Sequence, residues 1–314
     1  MKNSKGNVLV LGARGRFGRA AVAAFVDAGW QVTAAGRYRD DEVSPANAER
    51  LVLDAFEPAS VALAAQGMDV IVNALNPPYP DWASHLPCFT RSVIAAARET
   101  GATVVIPGNV YNYGAEMPSV LDEATPAHPT TKKGRLRVEM EQRYARAAEK
   151  HGVQTIILRA GDFLEGAKTG NWFDSIIAKD VAKSRVTLPG PADIPHAWAY
   201  LPDMARAMAG LAEKREELGR FESIGFEGYT LTGNDLVGLM QGVTGQPFRR
   251  KNLPWWALRI IALFSPLMRE VQEMRYLWQV PHQIDGTRLR QLLPDFRPTE
   301  PEKAMKQMLV ALGA

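Results

Sequence analysis

The sequence predicts an α/β fold in which a doubly wound parallel sheet is followed by a smaller, mostly helical C-terminal lobe. Three observations indicate this. Short apolar runs alternate with longer amphipathic segments through the first half of the chain, a glycine-rich turn follows the first apolar run, and 46% of the 314 residues are hydrophobic. A chain of this length can bury one large core, or form a main domain with an attached lobe.

Six short apolar runs are the predicted strands of the sheet: Asn7–Leu11, Gln31–Ala35, Ala48–Leu53, Asp69–Ala74, Thr103–Ile106 and Gln154–Leu158. Apolar residues recur at helical spacing in four of the intervening segments, which are Arg16–Asp27, Ser60–Ala65, Cys88–Glu99 and Arg135–Lys150. Gly29, Gly101 and Gly152 stand where these helices should end. Such alternation is typical of a parallel sheet with crossover helices on its faces.

The pattern becomes less regular after Leu158. Two segments rich in glycine and proline are predicted loops beside a site: Gly161–Gly170 and Leu188–Pro195. Three apolar segments are predicted helices of the lobe: Leu231–Thr244, Trp255–Met268 and Pro301–Leu312. A helix over Asp203–Lys214 and a strand near Phe221–Gly225 are expected to return to the main sheet. We therefore expect a first domain over residues 1–165, rejoined by segments near 196–228, and a lobe over 166–314.

Composition excludes several classes of protein. The formal net charge is only +3 and no block of Lys and Arg occurs, so we expect no nucleic-acid partner. The single cysteine, Cys88, cannot form an intrachain disulfide or a cysteine metal cluster, and the histidines lack paired-ligand spacing, so we expect no metal. The start of the chain lacks a signal-peptide core, which predicts a cytoplasmic protein.

The most hydrophobic stretch, Trp255–Met268, is interrupted by Arg259 and Pro266 and is too short to span a bilayer. It could form a membrane-surface or subunit-interface patch, but the simpler interpretation is that it fills the core of the lobe. We therefore expect no membrane partner, while a homodimer stays open.

The turn after the first strand reads Gly12-Ala13-Arg14-Gly15-Arg16-Phe17-Gly18 and leads into a helix. Gly12 allows the sharp turn, Gly15 lets the backbone approach a pyrophosphate, and Gly18 lets the helix pack closely on the sheet. The helix begins with Arg16 and Phe17. The free N–H groups at its start and the positive end of its dipole can hold the anion. This spacing between a strand and a helix predicts a Rossmann-type dinucleotide site.

The second strand is followed by Arg37, where an NAD-selective protein would carry an acidic residue for the adenosine ribose. Arg14 in the glycine-rich turn is its expected companion, and two guanidiniums suit the 2′-phosphate of NADP. Asp40 and Asp41 follow closely and could bind the ribose if the turn is longer. NADP is therefore the predicted cofactor, with NAD as the alternative.

These motifs resemble the extended branch of the short-chain dehydrogenase/reductase superfamily, the epimerase/dehydratase-like proteins. The resemblance covers nearly the whole chain, closely to Asp203 and loosely beyond. It rests on the glycine spacing, on Asp54 after the third strand and on the fourth strand, Asp69–Ala74. It implies that Asp54 lies beside the adenine and that the strand end at Ala74 lies under the cofactor.

The usual catalytic residues of that family are replaced here. Family members carry a Ser or Thr, then a Tyr, then a Lys four residues after the Tyr; the alignment places Asn109, Lys133 and Arg137 at these three positions. The resemblance implies that the three side chains converge on the nicotinamide ribose and the reacting atoms. Asn109 would then orient the substrate oxygen, Lys133 would exchange a proton, and Arg137 would bind the ribose.

Other interpretations stay open. Tyr111 or Tyr113, after the fifth strand, could supply the proton-carrying hydroxyl. The protein could also bind the dinucleotide without catalysis, as a sensor or regulator, with Lys133 a solvated lysine at a helix start. The favoured function is an NAD(P)-dependent oxidoreductase acting on a small carbonyl or alcohol; an epimerase or dehydratase with transient oxidation is the third candidate.

Four residues are predicted to border a small-molecule substrate. The resemblance implies that His196 and Tyr200 line the cleft, and that Asp162 and Trp172 flank a glycine-bearing loop over the nicotinamide. Family members that act on nucleotide sugars commonly carry an Arg four residues before the cleft Tyr, where this chain has His196. A neutral imidazole binds a diphosphate less well than a guanidinium does, so a nucleotide sugar is not the expected substrate.

Overall fold

The computed structural model describes residues 4–38, 46, 48–167 and 169–313, and its main element is a seven-stranded parallel sheet. The strands of these residues are β1 (Asn7–Leu11), β2 (Gln31–Gly36), β3 (Glu49–Val52), β4 (Val70–Asn73), β5 (Thr103–Gly108), β6 (Val120–Leu121), β7 (Thr155–Arg159), β8 (Asp162–Leu164), β9 (Arg185–Leu188), β10 (His196–Tyr200), β11 (Phe221–Gly225), β12 (Tyr229–Leu231), β13 (Arg249–Asn252) and β14 (Gln283–Ile284). The main sheet has the order β11–β7–β5–β4–β1–β2–β3. The predicted doubly wound parallel sheet is confirmed.

Helices cover both faces of this sheet. Those of the described residues are α1 (Arg16–Asp27), α2 (Pro58–Ala64), α3 (Trp82–Thr100), α4 (Lys132–His151), α5 (Leu201–Glu213), α6 (Gly233–Thr244), α7 (Trp255–Ala262), α8 (Pro266–Glu273), α9 (Thr287–Leu292) and α10 (Pro301–Leu312). Because successive side chains of a strand point to opposite faces, Val8 and Val10 of β1 pack towards α1 and α5, and Leu9 and Leu11 pack towards α2, α3 and α4.

The winding of the sheet reverses between β1 and β4, and the candidate site lies at that point. Leu11, at the carboxyl end of β1, pairs with Ala35 of β2 on one side and with Asn73 of β4 on the other. The loops that follow these strands therefore meet at one edge of the sheet. In doubly wound sheets, ligands bind at this edge, where the strand order reverses.

The C-terminal half contributes to both the main sheet and the lobe. β11 adds an edge strand beside β7, and α5 packs against α1 on the main sheet. β10, which begins the stretch expected to return to the main sheet, instead joins β8 and β12 in a separate three-stranded sheet. β9 and β13 also pair within the lobe, beside its helices.

Two helical segments differ most from their predicted bounds. α3 begins at Trp82, six residues before the predicted start, and Cys88 lies inside it. The predicted helix Trp255–Met268 is two helices, because Pro266 starts α8 and Ser265 caps that second helix through its side chain. Within the described ranges, no helix is long and apolar enough to cross a membrane.

Candidate functional site

The glycine-rich turn between β1 and α1 is too tightly packed for a side chain at two positions. Gly12 has a φ of +76°, and a Cβ there would lie 2.8 Å from the carbonyl oxygen of Ala74. A Cβ at Gly18 would lie 2.1 Å from the carbonyl oxygen of Gly12. Glycine at these positions therefore allows the turn and the start of α1 to lie this close to the sheet.

Gly15 has a different environment. It precedes α1 with ordinary extended backbone angles, φ −69° and ψ 170°, and a Cβ there would lie 3.1 Å from the Gly12 carbonyl oxygen, its closest contact. The first-turn amides of Arg16, Phe17 and Gly18 have no acceptor within the helix, and this turn carries no acidic side chain. The turn and helix start therefore have the geometry and charge to bind a pyrophosphate.

The Arg16 side chain connects this turn to the loop after β8. Its Nη2 donates a hydrogen bond of 3.0 Å to the carbonyl oxygen of Thr169, and its Nε lies 3.8 Å from Glu165 Oε1. The loop that was predicted to cover the cofactor therefore lies against the start of α1. The Phe17 side chain is buried, so only the backbone of Phe17 is available to a ligand.

Arg14 and Arg37 lie together at the end of β2. The Arg14 guanidinium donates to the Arg37 carbonyl oxygen and lies 5.8 Å from the centre of the Tyr38 ring. Both arginines are exposed, so two cations lie beside the glycine-rich turn. Asp40 and Asp41, the acidic alternatives for the ribose, lie outside the described residues.

Two further predicted cofactor contacts follow the third and fourth strands of the chain. Asp54 is exposed after β3, and its Oδ1 accepts a hydrogen bond of 3.0 Å from the Phe56 amide. Ala74 is buried after β4, where its carbonyl oxygen packs against Gly12. Both residues lie at the carboxyl edge of the sheet with the glycine-rich turn.

The Arg137 guanidinium on α4 is buried and incompletely paired. It lies 4.7 Å from the centre of a Trp82 ring, and its Nη2 donates a long hydrogen bond of 3.4 Å to Asn76 Oδ1. Burial lowers the pKa of Arg137 from its usual value. Its Nε is buried without a hydrogen-bond partner, and an unsatisfied buried donor of this kind can be satisfied by a ligand.

Lys133, one turn earlier on α4, lies in an acidic environment that the sequence did not indicate. The side chain is 1% exposed, so it is not the solvated lysine considered above. Its Nζ donates to Glu273 at 2.5 Å and also to Glu270, both on α8. The ammonium also lies 5.0 Å from the centre of the Tyr79 ring. Lys133 therefore joins α8 to the site through a buried ion pair.

Gly134 brings this helix close to the loop after β5. A Cβ at Gly134 would lie 2.4 Å from the Tyr111 carbonyl oxygen, so glycine allows close approach here. The Thr131 side chain caps α4 by accepting a 3.0 Å hydrogen bond from the Gly134 amide. Lys133 and Arg137 are consequently held next to Tyr111.

Tyr111 forms a hydroxyl pair with Tyr79, a residue that sequence reasoning missed. The two hydroxyl oxygens are 3.0 Å apart. Burial raises the pKa of Tyr111 well above its ordinary value and also raises the pKa of Tyr79. Trp82 stacks on the Tyr111 ring at 6.3 Å, and the Asn109 side-chain oxygen accepts a 3.1 Å hydrogen bond from the Tyr111 amide.

Tyr113, the other tyrosine in this loop, packs against a structural ion pair. The Arg159 guanidinium lies 5.4 Å from the centre of the Tyr113 ring. Arg159 donates to Glu141 at 2.7 Å and to the Asn109 carbonyl oxygen at 2.7 Å. Asn109 is therefore fixed at both its backbone and its side chain.

His196 and Asp162 form a buried hydrogen-bonded pair. His196 Nε2 lies 2.9 Å from Asp162 Oδ2, and His196 Nδ1 lies 3.2 Å from the Leu277 carbonyl oxygen. The imidazole stacks on Trp278 at 4.3 Å with an interplanar angle of 2°. His282 lies 4.5 Å away, and burial together with His196 lowers the pKa of His282 to about 3.

The two remaining predicted substrate residues lie in the aromatic core of the lobe. Trp172 packs 5.1 Å from Trp278 and 6.2 Å from Trp255. The Tyr200 hydroxyl donates a 2.5 Å hydrogen bond to Gln307 on α10. Tyr200 also lines an open cavity of about 510 Å³ near the start of α1.

Further residues of the site were not found from the sequence. Tyr79 and Trp82 follow β4 at the sheet edge where ligands collect, so the strand order alone could have indicated them. The Tyr276 hydroxyl is buried without a hydrogen-bond partner, and burial together with the Asp162 charge raises its pKa. Glu270 and Glu273 carry no local signal. The described residues contain no group of three or more side chains that could hold a metal ion.

A glycine-rich turn at the switch point of a doubly wound sheet, with a cationic strand end beside it, defines a dinucleotide-binding α/β protein. Residues 12–185 match the NAD(P)H-binding family, and the chain belongs to that family. The predicted dinucleotide cofactor is therefore confirmed as NAD(P)H. No curated protein matches the sequence at a significant level.

Solved structures with the same fold cover almost the entire chain. L-threonine dehydrogenase from Clostridium difficile is 16% identical with a TM-score of 0.77, and the match covers 99% of this chain and 98% of that one. UDP-glucose 4-epimerase from Thermotoga maritima is 16% identical with a TM-score of 0.76, covering 98% of both chains. MoeE5 in complex with UDP-glucose and NAD is 17% identical with a TM-score of 0.75 and the same coverage of both chains. These likenesses confirm the predicted Rossmann-type fold.

Proposed function

We propose that this protein is an oxidoreductase that uses NADP(H) and acts on a small carbonyl or alcohol substrate. The observation that carries the proposal is the buried Arg137 guanidinium with its unpartnered Nε, which shares the Trp82 ring with the Tyr79–Tyr111 hydroxyl pair. A cation with unused hydrogen-bonding capacity beside two hydroxyls suits a nicotinamide ribose next to a reacting carbonyl.

The residues of the sheet edge fit each part of the dinucleotide. The backbone amides after Gly15 would hold the pyrophosphate, Arg14 and Arg37 the 2′-phosphate, Asp54 the adenosine side, and Arg137 the nicotinamide ribose. The bound cofactor supplies or accepts the hydride. NADP is favoured over NAD because the two arginines are exposed together beside the pyrophosphate site.

We assign the proton transfer to Tyr111. Because burial raises the pKa of Tyr111, its hydroxyl carries a proton at neutral pH and can donate it to an alkoxide that forms during carbonyl reduction. The Tyr79 hydroxyl, 3.0 Å away, can return a proton to Tyr111 and regain one from solvent, and the Arg137 charge stabilises the tyrosinate in between. Asn109, next to Tyr111, would orient the substrate oxygen.

Lys133 is better suited to positioning than to proton transfer. Its ammonium is held by Glu270 and Glu273, and releasing a proton would break a buried ion pair. Its contact with the Tyr79 ring instead helps to place the Tyr79 hydroxyl.

A small substrate is favoured because His196 is already engaged by Asp162 and by the Leu277 carbonyl oxygen. A nucleotide diphosphate would therefore find no free cation at this position. The surrounding side chains are aromatic: Trp278 stacks on His196 and packs against Trp172, and Tyr276 lies near Asp162. Such a lining suits a compact, largely apolar carbonyl compound.

A second candidate function is a non-catalytic NADP(H)-binding sensor. Lys133 occupies the family's tyrosine position, and its ammonium is already ion-paired with two glutamates of α8. This double ion pair favours the sensor. In a sensor, the same glycine-rich turn and arginines would bind the cofactor, and no carbonyl compound would oxidise it.

The test combines cofactor titration with turnover. NADPH and NADH are titrated by calorimetry, and the oxidation of bound NADPH is then followed by absorbance with a panel of small aldehydes and ketones. Tyr111→Phe should lower turnover by roughly 10²–10⁴-fold with little change in NADPH affinity, while Arg137→Met should weaken NADPH binding. Tyr113→Phe is the matched control and should retain turnover.

Each alternative has a distinct result. If no carbonyl compound oxidises bound NADPH, the sensor replaces the enzyme. If Tyr111→Phe retains full turnover while a folded Lys133→Met protein loses it, the proton role belongs to Lys133.

A further inference from the structure

The α7–α8 hairpin presents an apolar surface that nothing in the described chain covers. Six of its large apolar side chains are exposed, and we call them the hairpin patch: Trp256, Ile260, Ile261, Leu263, Phe264 and Leu267. Phe264 is 86% exposed and Trp256 72%. Trp256, Ile260 and Leu263 follow one another at helical spacing, so they project from one side of the hairpin. A surface of this kind marks an interaction site rather than a scattering of single residues.

The inner side of the hairpin is firmly attached to the rest of the protein. Trp255 is buried and its Nε1 donates a 2.6 Å hydrogen bond to the Pro189 carbonyl oxygen. Glu270 and Glu273 of α8 hold Lys133. The hairpin is therefore anchored on one side and apolar on the other, so the earlier interpretation that this stretch only fills the core accounts for Trp255 but not for the patch.

The charged residues within the hairpin and next to it in the sequence are almost entirely positive. Six cationic side chains between residues 249 and 275 are exposed: Arg249, Arg250, Lys251, Arg259, Arg269 and Arg275. The same stretch contains two acidic residues, Glu270 and Glu273, and both are occupied by Lys133. An apolar surface with a cationic border is complementary to a membrane surface that carries anionic lipids.

We propose that the hairpin patch docks this protein on an anionic membrane surface, with Phe264 and Leu263 inserted among the acyl chains. Trp256 has the amphipathic ring that is favoured at the membrane interface. The helices are too short to cross the bilayer, so the hairpin would lie in the interface. This is a property of the surface and does not depend on the proposed reaction.

A second copy of the chain is a poorer occupant of this surface. A twofold dimer over the patch would bring two copies of the same cationic border together, and like charges across an interface are unfavourable. An anionic lipid surface neutralises that border.

The test uses the full chain and sedimentation with vesicles. Binding is measured on an equal mixture of phosphatidylglycerol and phosphatidylcholine, and on phosphatidylcholine alone. We expect binding to the anionic vesicles to exceed binding to the neutral ones at least tenfold. The double variant Leu263→Ser/Phe264→Ser should lower binding to the anionic vesicles by roughly tenfold or more, since two large apolar side chains no longer insert.

Two further variants separate the contributions. The triple variant Arg249→Gln/Arg250→Gln/Lys251→Gln should remove the preference for anionic vesicles. Val310→Ser is the control, because Val310 is 66% exposed but lies on α10, outside the patch; it should bind as the wild type does. All variants replace exposed side chains, so their thermal unfolding should match that of the wild type.

The proposal is overturned if the wild type fails to bind anionic vesicles, or if Leu263→Ser/Phe264→Ser binds them as the wild type does. It is also overturned if light scattering shows a wild-type dimer that this double variant converts to a monomer without any vesicle binding. In that case the patch is an interface between two copies of the chain.

Discussion

Gly15 and Gly18 are three residues apart in one turn, yet the structure predicts that a side chain at each has a different effect. At Gly15, Gly15→Val adds a side chain to the turn that would hold the pyrophosphate. The nearest atom to a Cβ there is the Gly12 carbonyl oxygen at 3.1 Å, and the backbone angles suit any residue. At Gly18, the Cβ of Gly18→Ala would lie 2.1 Å from the same oxygen.

The magnitudes follow from these distances. A 3.1 Å contact is relieved by a few tenths of an ångström of movement, so Gly15→Val should change the free energy of unfolding by no more than about 1 kcal/mol. A 2.1 Å contact between backbone and Cβ requires α1 to move away from the sheet, and overpacking of this kind costs roughly 1–3 kcal/mol or more. For a chain of this size, Gly18→Ala should then lower Tm by several degrees, at roughly 2 °C or more per kcal/mol.

The assay pairs thermal unfolding, followed by circular dichroism, with calorimetric titration of NADPH. Gly15→Val should unfold near the wild-type temperature and show no measurable NADPH binding. Gly18→Ala should unfold earlier. Gly238→Ala on α6 is the control, since its Cβ meets no atom within 4 Å, and it should be neutral or slightly stabilising. Undiminished NADPH binding by a folded Gly15→Val protein would refute the assignment of this turn to the pyrophosphate.

Three other variants test the remaining contacts. Arg37→Ala should weaken NADPH binding more than NADH binding, because only NADP carries a 2′-phosphate; calorimetry that gives equal wild-type affinities for the two cofactors contradicts this. Lys133→Met should lower the free energy of unfolding by about 2–3 kcal/mol in urea titrations, below the 3–5 kcal/mol of a fully buried broken pair, because Glu270 and Glu273 are 21% and 25% exposed. The pKa of His282 is about 3 when folded and 6.5 ordinarily, so the native state binds fewer protons and its stability falls as the pH drops below 6.5, by at most about 1.4 kcal/mol per pH unit. His282→Gln should flatten this slope between pH 6.5 and 5, and an unchanged slope would contradict the lowered pKa of His282.

Much of the dinucleotide half could be read from the sequence because its signals are local. β1 and α1 have the predicted bounds, Asn7–Leu11 and Arg16–Asp27. Apolar alternation, helical spacing and the glycines at 12, 15 and 18 all lie within one short stretch. Their physical effects act between neighbours in the chain, so they need no knowledge of distant residues.

The tertiary structure decided the surroundings of the candidate catalytic residues. The sequence placed Lys133 and Arg137 one turn apart on a helix, and they lie there. It could not show that Lys133 is held by Glu270 and Glu273, which are 137 and 140 residues away. Nor could it show that the hydroxyl of Tyr79, which lies in another loop, forms a hydrogen bond with the hydroxyl of Tyr111.

The same limit explains the lobe. The sequence identified the apolar run at Trp255, but whether a side chain of that run faces the core or the solvent depends on what packs against it. Trp255 is buried and Trp256 is exposed although they are adjacent. Periodicity therefore determined the fold class of this protein, and the glycine-rich turn determined its cofactor class. Packing between distant segments decided which polar groups are paired and which apolar groups stay uncovered.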